Sequence, residues 1–175
     1  MTRANNTCVL DDNTCSIPLS RGLYALIRRR HFEQISEHKW YAMKSTNTWY
    51  AVRSIRENGG VRKVLMHHEI LPMKDGFEID HRNGFGLDNR DENLRYCTRS
   101  QNMQNQRKSH NEKVSQYKGV TFQRGRKKFT ARITVNGKLL YLGTFKSEIE
   151  AARAYDKAAI ENFGEFAHLN FIQDE

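Results

Sequence analysis

The stretch FEIDHRNGFGLDNRDENLRYCTRSQNMQN, residues 77–105, governs how the rest of the chain is read. An extended apolar run (Phe77, Ile79) ends at the pair Asp80-His81. A loop rich in Gly, Asn and Asp follows, and then a return segment, Asn93-Leu94-Arg95-Tyr96. Thr98-Arg99-Ser100-Gln101 has the form of a capping box, with Thr98 capping a helix and Gln101 reaching back. Asn102 therefore falls in the first helical turn. Strand, polar hairpin and helix start gather Asp80, His81, Asn93 and Asn102 in one place. Adjacent residues on a flat strand point to opposite faces. The strand is therefore expected to bend or end at Asp80-His81, which Asn83-Gly84 makes easy.

The spacing of Asp80-His81, Asn83-Gly84, Asp88-Asn89-Arg90, Asn93-Leu94-Arg95, Cys97-Thr98, Asn102 and Asn105 resembles the HNH nuclease motif. More narrowly it resembles the phage-type HNH homing endonucleases. The upstream segment Leu65-Met66-His67-His68-Glu69-Ile70-Leu71 is similar to the leader of those enzymes, with His68 where Arg is usual. The resemblance implies a ββα-metal unit that cuts a phosphodiester bond, and it implies a chemistry for each position. Such hydrolysis needs an attacking water, a base, and a cation for charge developing on phosphate oxygens. A neutral imidazole suits the base near pH 7, which assigns His81. A carboxylate and an amide oxygen suit a hard divalent ion, Mg²⁺ or Mn²⁺. That assigns Asp80 and Asn102 as metal ligands, with Asn105, one turn on, in reserve. Asn93, on the return arm, is expected to hydrogen-bond backbone across the loop and hold the His81 ring. Taken singly, each of these residues reads as polar loop or helix cap; only the joint spacing points to a nuclease.

The 175 residues suffice for one ordinary domain or two small ones. Lys and Arg number 29 against 20 Asp and Glu, a net charge of +9 that favours a polyanionic partner. The three cysteines, 8, 15 and 97, are far apart and form no C-x-x-C pair. That spacing speaks against a disulfide framework and against a structural zinc. No apolar run reaches membrane-spanning length and the N-terminus has no signal-peptide core, so a cytoplasmic, reducing setting is expected.

In chain order, residues 1–15 are polar and are expected to be a flexible tail. Extended segments follow at 16–19 and 23–27, and a short helix at 30–38 with Phe32 and Ile35 on one face. Strands are expected at 40–42, 49–52 and 61–66, parted by Asn47 and Asn58-Gly59-Gly60. Trp40 and Trp49 are read as core rather than as base-stacking platforms. The nuclease domain is expected over 16–106, with a β-rich leader at 16–72 and a ββα core at 77–108, and a polar linker over 107–114.

A second unit is expected over 115–171. Strands are read at 117–122, 128–135 and 138–145, turned by Gly125 and Asn136-Gly137, the favoured two-residue hairpin. Ser147 and Glu150 form a second capping box; Ile149, Ala152, Tyr155 and Ala159 then recur at helical spacing up to Gly164. Tyr117-Lys118-Gly119-Val120, 128–133, Tyr141-Leu142-Gly143-Thr144-Phe145, 150–156 and 166–171 resemble the Apetala-2/ethylene-response-factor DNA-binding domain. That resemblance implies a three-stranded antiparallel sheet packed on one helix and laid in the major groove. Carried over by position, Lys118, Thr121, Gln123, Arg132, Thr134 and Tyr141 would face DNA. Arg124, Lys127 and Lys128 cluster at one turn, where they would meet phosphate. From 113 to 171 eleven basic residues stand against five acidic ones, +6 of the total charge of +9.

The fold class expected is therefore α+β. The leading function is a divalent-metal-dependent HNH endonuclease acting on double-stranded DNA, of the homing type and phage-borne or intron-associated. With one motif per chain, a monomer is expected to nick one strand. A non-catalytic DNA-binding regulator and an RNA-directed protein remain open as alternatives.

Overall fold

Period-two burial sets the first sheet in the computed structural model, which describes residues 13–107 and 115–171. β1 (Thr14–Pro18) and β2 (Tyr24–Arg28) pair antiparallel, with Cys15 opposite Ile27 and Ile17 opposite Ala25. These four side chains are at most 1% exposed, because alternate residues of a strand share one face. The expected flexible tail is thus corrected at its end: Thr14 and Cys15 are buried strand residues, and residues 1–12 lie outside the described residues. Cys15 is disulfide-bonded, whereas Cys97 is a free, buried thiol. Cysteine spacing gave no sign of that bond, since pairing depends on Cα proximity rather than on a C-x-x-C pattern.

α1 (Phe32–Ser36) buries Ile35, whose carbonyl accepts from Trp40 Nε1 at 2.8 Å. β3 (Tyr41–Lys44), β4 (Trp49–Glu57) and β5 (Gly60–Leu65) form an antiparallel sheet in that order. Asn58 and Gly59 turn β4 into β5 at φ 50° and 77°, the positive values that a two-residue hairpin needs. Trp40 is core, as read. Trp49 is only half-buried, with the Arg21 guanidinium carbon 5.7 Å from its ring centroid. A strand through Met66 was expected, but the chain turns at Leu65 into α2 (Met66–Ile70). Met66 and Ile70 are one helical turn apart and both buried, so the core rather than local propensity chooses the helix.

β6 (Glu78–His81) and β7 (Leu94–Cys97) pair antiparallel, Asp80 opposite Arg95 and His81 opposite Leu94, and α3 (Arg99–Asn105) follows. The capping box forms as read: Thr98 N donates to Gln101 Oε1 at 2.8 Å and Gln101 N donates to Thr98 Oγ1 at 3.3 Å. The loop 82–93 is fastened to its neighbours. Leu26 N donates to Leu87 O and Asn89 N to Leu26 O, both at 2.8 Å, which makes a parallel bridge between Leu26 and Asp88. Glu92 pairs with Arg28, and Asp91 with Arg30 and His31. Gly86 lies where any Cβ would meet the Tyr50 ring at 2.5 Å and Trp49 O at 2.6 Å. One core, including Ile17, Ile27, Ile35, Trp40, Met66, Ile79 and Leu94, ties these sheets together.

The chain divides into two compact units between Asn102 and Met103. In the second, β8 (Val120–Gln123), β9 (Lys128–Val135) and β10 (Lys138–Phe145) form an antiparallel sheet with β9 central. Asn136 and Gly137 turn β9 into β10 at φ 49° and 76°. α4 (Glu148–Phe163), whose Ser147 cap accepts from Ile149 N, buries Ala151, Ala152, Tyr155, Ala158 and Ala159. Small alanines bring it close to the sheet, and Gly119 (φ 75°) makes room for the Tyr155 ring. The tail after α4 is held by Asp156, which accepts from Asn170 N, Asn170 Nδ2 and Phe171 N, while Asn170 Oδ1 accepts from Lys118 N. The architecture is α+β, with several antiparallel sheets and few helices. No helix among the described residues is long and apolar enough to cross a membrane.

Candidate active site

β6 ends at His81, and its last residues divide between the two faces of the hairpin. On one face Glu78 and Asp80 are two positions apart, opposite Cys97 and Arg95. Asp80 is 6% exposed, and its Oδ2 accepts from Arg95 Nε at 2.9 Å and Nη2 at 2.8 Å. Burial pushes the neighbouring Cys97 thiol up to about 11, and the charges of Asp80 and Glu78 add to the shift. α3 brings Asn102 to this face, where its Nδ2 donates to Glu78 Oε2 at 2.7 Å. Asn105, further along α3, is buried.

On the other face the His81 ring, 5% exposed, lies against a wall of rings. Its centroid is 4.9 Å from that of His67 and 5.9 Å from that of Tyr50. His81 Nε2 is 3.2 Å from Asn89 Oδ1. Asn89 Nδ2 donates to Leu87 O, so its Oδ1 is the acceptor for the ring. Burial lowers the His81 pKa from its ordinary value, against the opposing pull of Asn89, Asp80 and Asp88, so the imidazole is neutral near pH 7. His67 is pushed down to about 2, first by burial and then by the neighbouring histidines. Asn93 staples the loop: its Oδ1 accepts from Asn83 N at 3.0 Å and its Nδ2 donates to Asp88 O at 2.7 Å. Asp88 in turn holds Arg90 and Asn83 Nδ2.

In the second unit the sheet face away from α4 presents Thr121, Arg132, Thr134 and Tyr141, all exposed, and Gln123, half-buried. Arg124, Lys127 and Lys128 are exposed in the β8–β9 turn. Lys118 departs from the expectation that it faces DNA. Its Nζ donates to Gln104 O at 2.6 Å and Gln106 O at 2.7 Å, and burial pulls its pKa down to about 8. Its charge is committed to backbone carbonyls rather than to the open face.

Residues 69–104 match the family described as HNH endonuclease, and residues 115–165 match the AP2 domain. The chain carries both domains. Over the AP2 domain it is similar to AP2-like ethylene-responsive transcription factor TOE2 of Arabidopsis thaliana, 42% identical over 73 residues, which is 42% of this chain and 15% of that protein. It is also similar to APETALA2-like protein 2 of Oryza sativa subsp. indica, 49% identical over 57 residues, covering 33% of this chain and 13% of that one. The chain thus spans only about a seventh of the length of these relatives.

HNH nucleases generally use a divalent metal. Among the described residues no three His, Cys, Asp or Glu side chains are placed to hold one. The HNH domain offers instead a mixed oxygen set: the Asp80 carboxylate, oriented by Arg95, and the Asn102 amide, oriented by Glu78. Hard oxygen donors whose free rotation is removed by outer partners suit a hard divalent ion. Arg95, Asn89 and Glu78 were given no role in the sequence. Arg95 and Asn89 stand inside the quoted motif, but Arg95 meets Asp80 only through the strand register, and Asn89 meets His81 only once the loop is folded back. A period-two count back from Asp80 was the available signal for Glu78.

Proposed function

We propose that this protein is a divalent-metal-dependent DNA endonuclease of the homing type, in which the HNH domain cuts one strand and the AP2 domain grips the duplex. The observation that supports it is the β6–β7 hairpin followed by α3, which sets Asp80 and His81 at the end of β6 and brings Asn102 to Glu78. Asp80 and Asn102 hold the ion, with Asn105 in reserve. When bound, the ion supplies positive charge against the phosphate oxygens. His81, whose Nε2 faces Asn89 Oδ1, is assigned as the base that would take a proton from the attacking water. Asn93 keeps the loop that carries Asn89 closed. The open sheet face with Arg132, Thr134, Tyr141, Thr121 and Gln123 contacts the groove, and Arg124, Lys127 and Lys128 contact phosphates.

The nuclease domain at 16–106 and the binding domain at 115–171 then divide cutting from binding within one monomer, acting in the cytoplasm of a phage-infected bacterium. The test is supercoiled plasmid incubated with Mg²⁺, with Mn²⁺, or with EDTA. Open circles with either metal and none in EDTA are expected. Cleavage that survives EDTA overturns the metal role, and direct conversion to linear plasmid at low enzyme overturns single-strand cutting. Duplex binding with no cleavage under any metal would leave a DNA-binding regulator, in keeping with the relative TOE2, which is named as a transcription factor.

A further inference from the structure

We infer that Glu78 is a positioning residue that decides which end of the Asn102 amide faces the metal ion; this rests on Asn102 being a ligand, as proposed above. An asparagine amide has two ends of nearly equal size, and only the carbonyl end can ligate a cation. Rotation of the amide by half a turn would present Nδ2 to the ion and abolish the site. Glu78 Oε2 takes a hydrogen bond from Asn102 Nδ2 at 2.7 Å, a charge-assisted bond that the flipped amide would replace with oxygen facing carboxylate.

The rest of the surroundings hold both partners still. Glu78 is fixed in β6, opposite Cys97, and Cys97 Sγ donates to its backbone carbonyl at 3.6 Å. Asn102 is fixed in α3, whose first turn is closed by the Thr98–Gln101 box and by Asn102 N donating to Thr98 O at 2.9 Å. Glu78 also stands two positions before Asp80 on the same strand, so it places the Asn102 amide on the face that carries the Asp80 carboxylate. The arrangement parallels Arg95 and Asp80: each assigned ligand is aimed by one partner from the β6–β7 hairpin.

The experiment measures Mn²⁺ binding to the full-length protein by electron paramagnetic resonance, alongside melting temperature and duplex affinity in EDTA. Glu78→Ala is expected to weaken Mn²⁺ about tenfold, the range typical of losing an outer partner, with melting temperature and EDTA duplex affinity unchanged. Glu78→Gln keeps an acceptor for Asn102 Nδ2 but adds a donor end that can pair with Asn102 Oδ1, so the amide divides between two orientations and Mn²⁺ is expected to weaken by about twofold, less than in Glu78→Ala. Cutting by Glu78→Ala is expected to recover at saturating Mn²⁺. Glu78→Gln as damaging as Glu78→Ala overturns the inference, because the carboxylate itself would then be a ligand. So does Glu78→Ala that binds Mn²⁺ normally while Asp80→Ala and Asn102→Ala do not. If Asp80→Ala and Asn102→Ala also bind Mn²⁺ normally, the metal assignment fails instead.

Discussion

His67 is 5% exposed, one ring away from His81, and its pKa is pushed down to about 2. In the unfolded chain the same imidazole titrates near 6.5. Above that pH both states are neutral and nothing changes. Below it the unfolded state takes up a proton that the folded state refuses, so stability falls as pH drops from about 6.5 toward 2. At pH 5.5 the loss from this residue is about 1.4 kcal/mol. Urea midpoints at pH 7.5 and 5.5 should show it, and His67→Gln should reduce the difference by about that amount; a difference unchanged in His67→Gln would place His67 in water. Asp80 and Arg95 make a second prediction at this scale. Their side chains are 7% and 5% exposed, so Arg95→Met leaves a buried carboxylate without its counter-charge, a loss of about 3 kcal/mol by denaturant unfolding. Full stability in Arg95→Met would mean that the pair contributes nothing. Asp80, His81, Asn93 and Asn102 could be singled out from spacing. Glu78, Asn89 and Arg95 could not, because their roles are pairings across a register or a folded loop, and linear order does not display those.

Elements with local signals were legible before folding. The Thr98–Gln101 box, the Asn136-Gly137 turn and the alanine face of α4 each depend on neighbours within a few residues, and each forms. Met66, the first residue of α2, was placed at the end of a strand because Val64, Leu65 and Met66 continue an apolar run, and the signal that bends the chain there is the distant core around Ile35. In the second unit, a Cβ at position 119 would meet the Tyr155 ring at 2.0 Å and Arg132 O at 2.7 Å, on backbone at φ 75°. Gly119→Ala should therefore cost about 3 kcal/mol or more and lower the melting temperature of that unit; a melt like the parent's would mean that α4 shifts freely. On the outer face of the sheet Arg132 is exposed and opposite Tyr141. Arg132→Ala should weaken duplex binding, and if its contact is to phosphate it should reduce the salt slope by about 1. Titrations at several salt concentrations that match the parent would remove this face from DNA.

At the scale of the whole molecule, two units with separate cores carry separate sequence signals, and two-thirds of the excess positive charge falls between 113 and 171. Binding and cutting should then separate genetically: changes on the β9 face alter affinity, and changes at the end of β6 alter turnover. The most direct measurement uses one substitution. Parent and His81→Ala are incubated with supercoiled plasmid and Mg²⁺, and duplex affinity is measured in parallel. The expected result is equal affinity with open-circle formation slowed by about a hundredfold or more, the loss typical of removing a general base. His81→Ala that cuts at the parent rate would contradict the assignment of the base and, with it, the site built around Asp80-His81.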